Sequence, residues 1–146
     1  MEGLVTFLKI FFLGKVILLT PVPLDVGNRW LELKLDKPLS VVTSGASLEV
    51  RISRQHYLFN KTKGFNEIYD VAKTALPEGT IVAELIDKNG NKINLSRRVL
   101  SISNDYVSYG ITANVPLLSS TIFNGLKIKS NISIEGVKVY WRNYKH

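Results

Sequence analysis

The chain has 146 residues, 45% of them hydrophobic and 21% charged, with no cysteine and a formal net charge of +7. That balance fits one folded domain, or one domain with a tail, and argues against disorder. The missing cysteines exclude disulfides, thiolate metal sites and a cysteine nucleophile, while the positive charge admits a nucleic acid, an anionic lipid surface or an acidic polymer as partner.

The N-terminal run Gly3 to Leu24 has no acidic residue and fourteen large apolar ones. As a helix, its 22 residues would reach roughly 33 Å, close to the thickness of a hydrocarbon core. This predicts a hydrophobic N-terminal helix acting as an uncleaved signal-anchor, with Leu8, Phe11, Phe12, Ile17 and Leu18 among the membrane-facing residues. The chain then divides into a membrane anchor, 1–24, and a β-domain, 25–146, held outside the cytoplasm. Lys15 is an unfavourable mid-span charge, and Pro21 and Pro23 end the helix by Thr20. Lys9 and Lys15 lie about 240° apart around a helix, which fits poorly with an amphipathic helix lying in the interface. Two alternatives remain. One is a cleaved signal peptide, although no small-x-small site precedes Asp25. The other is a soluble, cytoplasmic fold in which Lys15 to Leu24 supplies a first strand.

Downstream of Asp25 the periodicity is that of strands. Trp30 to Asp36 sets Leu31, Leu33 and Leu35 against Glu32, Lys34 and Asp36, and Ser47 to Ser53 sets Leu48, Val50 and Ile52 against Glu49 and Arg51. Alternation over six or seven residues marks a half-buried strand. Arg54 to Gly79 breaks the rhythm. Within it Phe65, Ile68, Val71 (or Ala72) and Ala75 fall at helical spacing, predicting a short helix before Pro77-Glu78-Gly79. Ile81 to Asp87 and Lys92 to Ser96 flank Asn89-Gly90, the preferred centre of a type I′ hairpin turn. Val107 to Val115 alternates again. Leu126 with Ile128, Ile132 with Ile134, and Val137 with Val139 and Trp141 complete the strands, Gly136 separating the last two runs.

Short strands punctuated every eight to twelve residues predict an all-β fold, an antiparallel β-sandwich of the jelly-roll kind, with one short helix in a long insertion. The pattern from Glu84 to Tyr144 is similar to the later strands of galactose-binding-like modules, a likeness of architecture alone.

Candidate chemistry is sparse. His56, in Arg54-Gln55-His56-Tyr57, is the one internal histidine. It could contact a polar ligand or serve as general base of a small hydrolase, given a carboxylate partner. The pairs Glu67 with Asp70 and Glu84 with Asp87 read as solvated charge. Asp87 to Asn91 reads as a turn, and no metal or other cofactor is implied. On the last strand, Lys138, Tyr140, Arg142 and Tyr144 share the face opposite Val137, Val139 and Trp141. Tyrosines beside cations could stack on sugars or grip an acidic partner. The ligand-binding candidates are therefore Arg54, His56, Tyr57, Tyr140, Arg142 and Tyr144.

The basic residues are dispersed, with no helical stripe, which argues against nucleic acid. The leading expectation is a non-catalytic binding or assembly module tethered to a membrane, with a protein or glycan partner. A soluble carbohydrate- or polymer-binding domain and a small hydrolase using His56 are the alternatives.

Overall fold

In the computed structural model of the protein, residues 16–20, 23–41, 45–118 and 120–143 are described. They form ten strands and one helix: β1 (Val16–Leu18), β2 (Leu24–Val26), β3 (Leu31–Leu33), β4 (Leu39–Ser40), β5 (Ser47–Ser53), α1 (Gly64–Ala75), β6 (Ile81–Asp87), β7 (Lys92–Ile102), β8 (Tyr106–Ala113), β9 (Ile122–Ser130) and β10 (Ile134–Arg142). All pairings are antiparallel. The strands join in one sheet of order β1-β10-β5-β8-β7-β6-β9-β3, with β2 also on β10 and β4 also on β9. The sheet curls into a half-barrel, and the all-β, antiparallel class is as expected.

Alternation decides which way each strand faces. Leu48, Val50 and Ile52 of β5, Val107, Tyr109 and Ile111 of β8, and Val137, Val139 and Trp141 of β10 all lie in the core. Each fully buried large side chain contributes about 1.5–3 kcal/mol, so the curl encloses apolar surface that a flat sheet would leave wet. The two margins of the sheet are drawn together by backbone acceptors. Trp141 Nε1 and Asn143 Nδ2 both donate to the Ser40 carbonyl of β4, at 3.1 and 2.7 Å. The Gly27 carbonyl, just past β2, accepts from Ser130 N of β9 at 2.8 Å.

The predicted strand Ser47 to Ser53 and the first hairpin arm are found as read, and the predicted helix lies within α1. Ile68 and Ala72 of α1 are buried, but Phe65 is exposed and stacks on Tyr69, ring centroids 6.2 Å apart. The helix is anchored at its C-terminal end instead. Tyr109 Oη donates to the Ala72 carbonyl at 2.7 Å, and Arg98 Nη1 donates to the Lys73 and Leu76 carbonyls. Burial pushes the Tyr109 phenol far above its ordinary value, against a smaller opposing pull from Arg98. It therefore remains a donor. A helix end leaves carbonyls unpaired; Arg98 satisfies two of them, and Tyr109 adds a donor to the Ala72 carbonyl, which also accepts from Leu76 N.

Three local expectations are corrected. The β6–β7 connection is a hairpin, but not a type I′ turn: Gly90 has φ +85, while Asn89 is not left-handed. Gly90 N donates to the Asp87 carbonyl, and the Asp87 carboxylate accepts from the backbone N–H of Asn89 and Asn91. The aspartate holds a wider three-residue loop in which only the glycine needs positive φ. Gly136 does not separate two strands. It sits at φ +69 inside β10, where the register against β2 shifts between Ile134 and Val137; one left-handed residue makes a bulge and lets the strand continue. β7 runs on to Ile102 because another register shift, between Leu95 and Arg97, breaks the alternation without ending the pairing.

The hydrophobic leader gives a further difference. Leu8, Phe11 and Phe12 lie outside the described residues. Ile17 and Leu18, expected on the anchoring helix, are on strand β1 instead, opposite Trp141 and Tyr140. Leu19 N then donates to the Val139 carbonyl, and Thr20 Oγ1 accepts from Val139 N. The C-terminal part of β10, beyond its pairing with β2, would otherwise end the sheet with its backbone groups unpaired, and β-branched Val16 and Ile17 suit a strand. Among the described residues, no helix is long and apolar enough to cross a membrane.

Candidate binding site on the outer sheet face

The polar side of the sheet is built by β7, β8, β5 and β10. Because Leu48, Val50 and Ile52 point inward, Ser47, Glu49, Arg51 and Ser53 of β5 point outward. Register places Ser108 of β8 and Lys138 of β10 on either side of Arg51, and Gly110 and Tyr140 on either side of Glu49. Two cross-strand rows of polar side chains therefore meet around one carboxylate.

That carboxylate is not solvated. Glu49 is 2% exposed, although it lies on the outer face. Its Oε1 accepts from Arg51 Nε at 2.7 Å and from Ser108 Oγ at 2.8 Å. Its Oε2 is buried with no hydrogen bond, and Arg142 Nη1 stands 3.9 Å from it. That spacing gives electrostatic attraction without a hydrogen bond.

Arg51 is held on three sides. Its guanidinium carbon lies 3.9 Å from the ring centre of Tyr140 and 4.4 Å from that of Tyr106, while Nε is fixed on Glu49. Burial opposes its charge, but the hydrogen bond and attraction of Glu49 outweigh that, and its pKa is raised above the ordinary arginine value. Stacking on aromatic faces and a carboxylate on one edge suit a planar guanidinium and not an ammonium.

Beside this cluster is an open pocket of about 290 Å³. Four hydroxyl-bearing residues line it: Ser47 of β5, Ser101 of β7, and Ser108 and Thr112 of β8, with Arg142 at one side and Val99 at another. Gly110 lies among them, and the absence of a side chain there leaves the space open. Ser108 belongs both to the pocket and to the Glu49 cluster.

The structure separates the predicted site residues into two groups. Tyr140 and Arg142 join the Glu49 cluster; Tyr144 lies outside the described residues. Arg54, His56 and Tyr57 fall in the turn after β5, where Arg54 Nη1 donates to the carbonyls of Ser103 and Asn104. His56 Nδ1 accepts from Leu58 N at 3.2 Å, its ring lies against Tyr57, and its buried Nε2 has no hydrogen-bond partner. Among the described residues the His56 ring makes no hydrogen bond to a carboxylate. Tyr57 is exposed. Among the described residues no three His, Cys, Asp or Glu lie close enough to share a metal ion.

Glu49, Arg51, Ser108 and Tyr106 were not singled out from sequence. The signal for the first two was an opposite-charge pair two residues apart on one strand face, indistinguishable there from solvated charge. Comparison with known proteins returns no match to a family model, to a curated protein or to a solved structure.

Proposed function

We propose that the chain is a non-catalytic binding module and that the outer face of β7, β8, β5 and β10 takes a carbohydrate chain. The observation that carries this reading is the pocket of about 290 Å³ lined by Ser47, Ser101, Ser108 and Thr112, with Arg142 beside it. Sugar hydroxyls need partners that both donate and accept, as serine and threonine do. A charged donor such as Arg142 makes stronger bonds than a neutral one. Tyr106 and Tyr140 are half-buried on the same face and supply amphipathic rings of the kind found at binding surfaces. His56, on which the hydrolase alternative rests, lies in a different part of the fold and lacks a carboxylate on its ring.

A jelly-roll-like sandwich is the architecture we assign to this display, supported by the curled sheet and its packed interior. The apolar run ahead of β1 supports attachment to a membrane, with the module outside the cytoplasm. Full-length protein recovered wholly in the soluble fraction would remove that tether and leave the binding face standing.

A glycan array probed with the purified chain tests the binding reading. Signal on at least one glycan class is expected, lost in Tyr140→Ala and Arg142→Ala variants whose circular dichroism is unchanged. Signal that survives both substitutions overturns this face as the site.

A further inference from the structure

We infer that the binding face selects acidic polysaccharide, and that Arg51 is the residue that reads the sugar carboxylate. The inference rests on the carbohydrate-binding reading and adds the ligand's charge to it. Its motivation is an arginine immobilised more thoroughly than its protein contacts use. The Arg51 plane is set by Tyr140 and Tyr106, and its rotation is set by Nε on Glu49. Among the described residues neither Nη finds an acceptor. The side chain is 22% exposed, so part of it is reachable from solvent.

A guanidinium whose edge is free and whose orientation is fixed matches a carboxylate with two parallel N–H···O bonds. Its entropy is already spent in the unliganded protein, which favours binding. The surroundings have the same sign. Lys138 is the cross-strand neighbour of Arg51 and is exposed, and Arg142 lies one strand register beyond Tyr140. Glu49 is the one acid in this cluster and is covered by its partners, so it presents little negative surface to an incoming anion. Ser108, across from Arg51, opens onto the hydroxyl-lined pocket, which puts a carboxylate reader beside a reader of neutral sugar groups. A polymer that alternates or carries both groups along its length is the ligand this arrangement fits, and polyuronates are that class.

Affinity electrophoresis of the full chain in gels cast with polygalacturonate, or with its methyl ester, separates the outcomes. The ester keeps the backbone and hydroxyls and removes the charge. Binding at least tenfold tighter to the acid than to the ester is expected at about 0.1 M salt, where charges beyond roughly 10 Å are screened. Arg51→Gln is expected to remove the preference. Glu49→Gln gives the sharper test, because it makes the protein more positive. If bulk charge drives binding, this variant binds polygalacturonate more tightly. If Glu49 positions Arg51, it binds less tightly while its affinity for the ester holds. Lys88→Gln, on the β6–β7 loop, serves as the charge control and should leave the preference intact. Thermal melts identify any variant that fails to fold, and Arg51→Lys, which keeps charge without the fork, then takes its place. Equal retention by acid and ester overturns acid selection and leaves the carbohydrate reading in place. No retention in either gel and no signal on the glycan array overturns both.

Discussion

Over Ser47 to Val50, strand β5 is buried on both its faces, by opposite means. Inward, Leu48, Val50 and Ile52 are 0–1% exposed and packed among apolar neighbours. Outward, Glu49 is nearly as inaccessible, covered by Arg51, Ser108, Tyr140 and Arg142. The inner face depends on volume and tolerates shape-conserving exchange. The outer face depends on particular partners: a buried carboxylate is favourable only while its hydrogen bonds are made, and costly once they are lost. The same strand thus carries a robust side and an exacting one, and the exacting side is where we place recognition.

The largest expected break is on the inner face. Trp141→Ala removes the largest buried side chain and should cost about 3–5 kcal/mol, read as a lower urea midpoint with little change in slope. Next comes the outer face. Glu49→Ala removes two hydrogen bonds to a carboxylate and should cost about 1.5–3 kcal/mol, less than Trp141→Ala because Arg51 can reach water. If Glu49→Ala leaves the midpoint unmoved, the outer face is solvated charge after all and the contrast collapses. Ser108→Ala removes the uncharged donor to the same carboxylate oxygen and should cost about 1.5 kcal/mol, the low end for a bond to a charged group. Tyr109→Phe lies between the two styles, a polar tip on an apolar body. It leaves the Ala72 carbonyl without that donor and should cost about 1–2 kcal/mol, with faster amide exchange in α1.

The smallest effect is at the β6–β7 loop, where charge acts in full solvent. Slight burial works against the Asp87 charge, but hydrogen bonds from Asn91, Asn89 and Gly90 outweigh it and lower its pKa from 3.8. A depressed folded pKa adds stability above the unfolded value and loses it as pH falls through the folded one. The wild-type advantage over Asp87→Asn should therefore be constant at neutral pH and shrink below about pH 4. A gap independent of pH would show that the carboxylate acts there only as an amide would.

The inner face was legible because its signal is local. Period two over Ser47 to Ser53 names the buried residues with no knowledge of the neighbours, and the helix over Gly64 to Ala75 follows from Ile68, Val71 and Ala72 in the same way. The outer face was not, because its burial is made by chain order. Ser108 is 59 residues from Glu49, and Tyr140 and Arg142 lie on another strand again. Only the order β10-β5-β8 brings them together. Alternation could nominate Tyr140 and Arg142 as one row but could not supply the row they face. At His56 the signal was of the converse kind. A lone histidine attracts attention by its chemistry, while its surroundings, a turn with Leu58 N on Nδ1, are decided by backbone geometry. At Ile17 and Leu18 hydropathy pointed to a helix, whereas the two residues lie on strand β1 at the end of the sheet and are about half exposed.

The β3–β4 margin of the sheet has consequences of its own. Among the described residues both strands pair only with β9, and between them run Lys34, Asp36, Lys37 and Pro38. A stray strand seeking to extend the ladder meets three residues of regular backbone, then three charges and a ring with no N–H to offer. Margins of this kind resist recruitment into fibrils. Crowding would then concentrate these molecules without welding them together.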